Sequence, residues 1–172
     1  YLSNNNNENG LLEYDGKNYI VNNKIIENNR GLVNDIVFID ENKVINIKQR
    51  SKQNISGILY MNSNKSYGRN KKGMNYYKFK ALNNKFKSFL VPCSLKIKRK
   101  VYIVIEFNKW DITDKYPIGI CKNIIGEIGE QNNEYDILLH KYDLKYPKLK
   151  IHKNIINNDL NQKIDNIDYN IF

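Results

Sequence analysis

The chain has 172 residues, 41% of them hydrophobic, with 28 Lys and Arg against 18 Asp and Glu, a formal net charge of +10. That length suits one ordinary domain or two small ones, and that apolar fraction supports a core, which excludes a wholly disordered chain. No stretch approaches the roughly 18 consecutive apolar residues that a membrane-spanning helix needs. The two cysteines, Cys93 and Cys121, have no C-x-x-C spacing and lie apart in sequence from His140 and His152, which argues against a zinc site. Two reduced thiols fit an intracellular protein. The chain starts at Tyr1 with no signal-peptide apolar region, and is expected to be a piece of something longer.

A pI near 9.4 normally points to a polyanionic partner. The 30 Asn residues, together with abundant Lys, Ile and Tyr, are also what AT-rich codons deliver. A Lys surplus can therefore arise without function, and charge alone leaves both readings open. Arg30, Arg50, Arg69 and Arg99 carry more information, because codon drift replaces Arg with Lys.

In chain order, a low-complexity Asn run (Asn4 to Asn7) precedes GLLEYDGKNYIV, Gly10 to Val21, where Asp15-Gly16 predicts a hairpin between two strands. DIVFI (Asp35 to Ile39), KVINIK (Lys43 to Lys48) and NISGILYM (Asn54 to Met61) read as strands, with Gly57 marking a bulge or a close backbone approach. NYYKFKAL and KSFLVP follow a basic, Gly-containing loop, and VYIVIEF (Val101 to Phe107) is the clearest strand. In NNEYDILLHKYDL the residues Tyr135, Leu138, Leu139 and Tyr142 have helical spacing, with Asn132 or Asn133 as cap. Glu134 and Asp136 suit its first turn, His140 and Lys141 its end, and Pro147 limits it. About ten short strands and one helix fit two five-stranded OB-type barrels; a single sandwich is the competing architecture.

No catalytic constellation is present. Asp165 and Asp168 lack a second acidic pair or a His, Ser94 has no G-x-S-x-G frame, and Gly126 with Gly129 reads as a turn. His140 fits a helix end better than a general base. No catalytic or metal-binding residue is therefore expected. Binding chemistry has more support: SNKSYGRNKKGMNYYKFK, Ser63 to Lys80, interleaves Lys65, Arg69, Lys71, Lys72, Lys78 and Lys80 with Tyr67, Tyr76, Tyr77 and Phe79. Single-stranded nucleic acid needs cations along its phosphates and flat rings for its bases. KIKRK, Lys96 to Lys100, is a second basic run without interleaved aromatics.

NNRGLVNDIVFI, with Asn29, Arg30, Gly31, Asn34, Asp35 and Val37, resembles the N-R-A-x-x-G-D-x-V signature of the RNase II/RNase R exoribonucleases, in the exosome-associated eukaryotic branch. KVINIKQRSKQNISGIL resembles that branch's entry to its second cold-shock domain, and FLVPCSLKIK its F-x-P-x-D-x-x-I-P segment. Trp110, Tyr116-Pro117-x-Gly119, Ile125-Gly126 and the acidic Leu-rich helix complete the series across roughly residues 10 to 145. Asn34 replaces a Gly, Lys52 stands where the family has a Trp, and Asp111 replaces a Pro.

The resemblance implies a mainly β chain of two small OB-fold (cold-shock) barrels in tandem plus one short helix. Its expected division is 1–43 for an incomplete first barrel, 44–131 for the second, 132–146 for the helix, and 147–172 leading to a nuclease domain outside this chain. It implies single-stranded RNA and exosome core subunits as partners, no membrane, and residence in nucleus and cytoplasm. No cofactor is expected in this chain, magnesium belonging to the nuclease domain. Lys48, Arg50, Arg69, Lys71 and Lys72 are expected at phosphates, and Tyr76, Tyr77 or Phe79 under bases, with Lys52 beside them. Arg30 is expected to pair with Asp35, and Trp110 to pack at the barrel's edge rather than stack, since a buried Trp covers about 150–250 Å². The alternatives are a protein-docking module for exosome subunits, or an independent or inactive OB-fold nucleic-acid-binding protein.

Overall fold

Two hydrogen-bonding systems divide the strands. The computed structural model describes residues 8–61, 67–95 and 99–144; Lys65, Lys96, Lys98, His152, Asp165, Asp168 and the segment 147–172 lie outside them. The first system comprises β1 (Glu8–Leu11), β2 (Glu13–Tyr14), β3 (Tyr19–Val21), β4 (Lys24–Ile26), β5 (Ile36–Asp40) and β6 (Lys43–Gln49). They form two three-stranded sheets, β1-β5-β6 and β2-β3-β4, around a core of Leu12, Val21, Ile26, Val37, Ile39 and Val44. Asp15-Gly16 makes the expected turn: the Asp15 carboxylate accepts the N–H groups of Lys17 and Asn18 at 2.7 Å each, and Gly16 has φ +104°. Those two backbone donors favour the ionised form and hold the Asp15 carboxyl below its ordinary range.

The second system is a closed five-stranded barrel of β7 (Asn54–Tyr60), β8 (Asn75–Ala81), β9 (Phe89–Cys93), β10 (Lys100–Lys109) and β11 (Ile118–Glu127). Its neighbours run β10-β11-β9-β8-β7, with β7 returning to β10, so closure couples first strand to fourth and third to fifth. That is the OB arrangement. The β9–β11 contact is parallel and every other pairing in the barrel is antiparallel. Phe79, Phe89, Leu59, Val91, Ile103 and Ile105 fill the interior. Gly57 is a close approach, as its sequence context indicates: an added Cβ would collide with the Phe79 ring and the Lys80 carbonyl.

The structure differs from the sequence reading in several places. β6 (Lys43–Gln49) is hydrogen-bonded to β5 of the first system, although a division at 43/44 assigns it to the second. β4 and β11 have no counterpart among the predicted strands; β11 pairs through three register shifts, which break the alternation a strand is read from. Helix α1 spans Gln131–Lys141 with Glu130 at the N-cap, so neither Asn132 nor Asn133 caps it. Its buried side chain is Ile137, packed with Tyr102 and Val104, while Tyr135, Leu138 and Tyr142 are exposed. Glu134 ties the helix down by accepting from Tyr102 Oη at 2.9 Å and from the Gly129 N–H at 3.1 Å. Burial, and then that bond to Glu134, raises the Tyr102 hydroxyl above its ordinary pKa.

Where the two systems meet, Asp35 is wholly buried. Its carboxylate accepts from the Leu32 N–H at 2.7 Å, the Ser51 N–H at 2.9 Å and the Arg50 guanidinium at 2.5 Å. Arg50 also donates to the Arg30 carbonyl at 2.9 Å and lies 4.6 Å from the Phe107 ring centroid, on β10. The partner of Asp35 is therefore Arg50 rather than Arg30. Arg30, in a left-handed turn at φ +60°, instead reaches across to the Ile112 carbonyl at 2.6 Å. Asn34 takes φ +70°, a conformation Asn enters more readily than most residues, which explains how it replaces Gly in the motif.

Candidate nucleic-acid interface

Strand β8 sorts the aromatic and basic residues by its period of two. Phe79 and Ala81 are buried in the barrel core and Tyr77 packs against it. Tyr76, Lys78 and Lys80 alternate with them and face outward. Phe79 is 0% exposed, its ring edge-on to Phe89 at 6.2 Å, and so cannot take a base; this corrects its assignment as a stacking residue. Tyr77 is half-buried on the same inward side, which leaves Tyr76 as the β8 ring on the outer face.

The β7–β8 loop closes onto this strand through a tight turn. Arg69 bridges to Asn75 and donates from Nε to Asn75 Oδ1 at 2.9 Å. The Asn70 side chain accepts the N–H groups of Lys72 (3.0 Å) and Met74 (2.9 Å), and Gly73 supplies φ +78°. Asn70 thus sets the turn, and Lys71 and Lys72 are left exposed at its tip. Neither lysine has an acidic partner among the described residues.

The β10–β11 loop approaches the same surface from the other side. Tyr67 and Tyr116 meet edge to face with centroids 6.4 Å apart and planes at 84°. Lys78 and Lys115 lie 5.8 and 5.7 Å from the Tyr116 centroid, within cation–π range. Trp110 packs against the barrel core, and its indole N–H donates to the Asp114 carbonyl at 3.0 Å. Lys87 stands 5.8 Å from its ring. Pro117 accepts the Leu90 N–H at 2.8 Å, which helps close the barrel. Gly119 is not a turn residue. It lies buried in β11, where a Cβ would come within 2.8 Å of Ile105 Cδ1, so any larger residue would have to displace that core side chain.

The other expected contacts are elsewhere. Lys48 lies on β6 with its ammonium 5.5 Å from the Phe38 ring, and Lys52 lines an open cleft with Leu11, Ile36 and Gln49. Arg50 is engaged with Asp35, Phe107 and the Arg30 carbonyl, which makes it a joint of the fold rather than a phosphate contact. Tyr116, Lys115 and Lys87 are missing from the sequence-derived set. Their signal was positional, since an OB barrel carries its ligand on strands two and three between the first–second and fourth–fifth loops. A second signal lay in charge order: residues 42–105 hold 16 of the 28 Lys and Arg and no Asp or Glu. Among the described residues no group of three or more His, Cys, Asp or Glu is placed to hold a metal ion, and no helix is long and apolar enough to cross a membrane.

With this geometry, the comparisons with known proteins are informative. Residues 76–143 match the family model described as Dis3-like cold-shock domain 2. Strands β8 to β11 and α1 are thus similar to a Dis3-like cold-shock domain. The match starts within β8 and ends just past α1, so the similarity includes the helix as well as the last four barrel strands. This agrees with the RNase II/RNase R-type cold-shock region that the sequence motifs resemble. Among solved structures, the chain is similar to yeast Ssd1, a pseudonuclease, at TM-score 0.58 and 17% identity, over 79% of this chain and 25% of that one. It is also similar to the apo form of Mycoplasma genitalium RNase R, at TM-score 0.56 and 12% identity, over 87% of this chain and 26% of that one. The chain thus spans about a quarter of the length of these two proteins, and at such identities the likeness is one of fold. No curated protein matches the chain by sequence.

Proposed function

We propose that this chain binds single-stranded RNA along the outer face of β8, between the β7–β8 and β10–β11 loops. The observation that carries the reading is the Tyr67–Tyr116 contact, which brings the two loops together with Lys78 and Lys115 against one ring. Phosphates run past Arg69, Lys71, Lys72 and Lys80, while Tyr116 and Tyr76 offer faces to unstacked bases. Stacking of this kind is worth about 1–3 kcal/mol per base and tolerates any sequence. The match of residues 76–143 to a Dis3-like cold-shock domain supports RNA over other polyanions. In a longer protein of the RNase II type, this region would guide RNA toward a magnesium-dependent 3′-to-5′ nuclease domain, working with the exosome in nucleus and cytoplasm.

A docking role is the second reading, favoured by the exposed Tyr135 and Leu138 of α1 and Tyr142 at its C-cap. One comparison separates the two. Reversing charge at Arg69, Lys71 and Lys72 should weaken RNA binding and leave capture of the exosome core unchanged. RNA affinity unchanged by that reversal, with core capture lost on Leu138→Asp in α1, would favour docking and reject the RNA reading.

A further inference from the structure

The two cysteines, 28 positions apart in sequence, belong to the two strands that close the barrel. β9 and β11 run parallel with Leu90 opposite Ile118, and the Leu90 N–H bonds to the Pro117 carbonyl at 2.8 Å. One step further along both strands, a Cβ on Gly119 would lie 3.4 Å from Val91 Cγ2, so the register holds on the inward side. Carried two more steps at the same offset from Leu90–Ile118, the parallel register would set Cys121 opposite Cys93. Phe89, Val91 and Cys93 are the inward residues of β9, and Cys121 packs against the same core. Adjacent strands lie roughly 4.8 Å apart, inside the Cα range that disulfides span. Both cysteines also line one open cleft of about 420 Å³ with Met74, Pro92 and Leu95, which gives small oxidants a route in.

We propose that Cys93 and Cys121 are a peroxide-oxidisable pair that forms a reversible disulfide across the parallel seam of the barrel. Cys121, the more exposed of the two, attacks hydrogen peroxide as its thiolate, breaks the O–O bond and becomes a sulfenic acid with release of water. Cys93 then attacks that sulfur and a second water leaves. In balance, two thiols and one peroxide give one disulfide and two waters. Burial, and then Cys93 nearby, raises the Cys121 thiol above its ordinary pKa, so thiolate is scarce at neutral pH and the reaction quickens as pH rises. The bond staples β11 to β9 and so fixes the strand that carries the β10–β11 loop. Dithiothreitol restores both thiols.

The test uses the full 172-residue chain, reduced, treated with hydrogen peroxide, quenched and alkylated with N-ethylmaleimide. The expected product has lost two hydrogens, takes up no maleimide, and yields a Cys93–Cys121 cross-linked peptide. Its thermal midpoint rises by a few degrees and falls back on reduction. Cys121→Ser should give no loss of two hydrogens within one chain; if that variant does not fold, the wild-type peptide map alone decides. Two maleimides after oxidation, disulfides only between chains, or sulfinic acid at Cys121 beside an alkylated Cys93 would each overturn the proposal.

Discussion

Tyr67 and Tyr116 stand 49 positions apart in sequence and meet edge to face across the mouth between two barrel loops. Each ring holds the other in place, and Lys78 and Lys115 flank Tyr116. On our reading this pair is the anchor for an RNA base. Tyr116→Ala should weaken binding of a single-stranded oligonucleotide by about 1–3 kcal/mol. The half-buried ring contributes little to the core, so the thermal midpoint should hardly move. Fluorescence anisotropy and a melting curve on the same sample measure both; a collapsed midpoint with unchanged affinity would assign Tyr116 to packing instead.

Phe79 and Tyr76 provide a paired control from one strand. Phe79→Ala should cost about 3–5 kcal/mol of stability, because it empties the barrel core. Tyr76→Ala should cost far less stability and lower RNA affinity. Urea unfolding of the two variants distinguishes them, and equal destabilisation would show that the alternation along β8 has been misassigned.

This division shows what the sequence could and could not convey. Most strands were legible from their apolar runs, and the Asp15-Gly16 hairpin and the Gly57 close approach from local chemistry. The choice among Tyr76, Tyr77 and Phe79 was not, because aromatics and lysines alternate on both sides of that question until the barrel fixes which face is inside. Tyr116 was hidden for another reason. In Tyr116-Pro117-x-Gly119 the pattern of a turn is plain, but the proximity of Tyr67 depends on barrel closure. Likewise Arg30 is the expected partner of Asp35 in sequence, and only the position of β6 beside β5 brings Arg50 in instead.

Asp35 should be the most sensitive polar position. Asp35→Ala strands the Arg50 guanidinium and the N–H groups of Leu32 and Ser51, and should destabilise the chain by about 3–5 kcal/mol. Arg50→Lys keeps a charge but loses the planar contact with Phe107, and should cost less. Chemical denaturation of both checks the order. If Asp35→Ala unfolds like the wild type, this carboxylate does not join the two strand systems.

Cys121 should alkylate slowly. Its thiol is raised by burial and by Cys93, so at neutral pH the reactive thiolate fraction is smaller than for a free cysteine. Its rate with iodoacetamide should therefore start below that of a model thiol and continue to climb at pH values where the model thiol has levelled off. A rate profile that levels off at or below the pH of the model thiol would refute this.

The most direct test of the account is a titration of the chain with single-stranded RNA across a range of salt concentrations. Displacing counterions from about four phosphates, at roughly 0.7 per phosphate, predicts that log K falls with log salt at a slope near −3. Reversing charge at Arg69, Lys71 and Lys72 should flatten that slope and weaken binding. Affinity independent of salt, or a slope unchanged by the reversal, would contradict an RNA path over the β8 face.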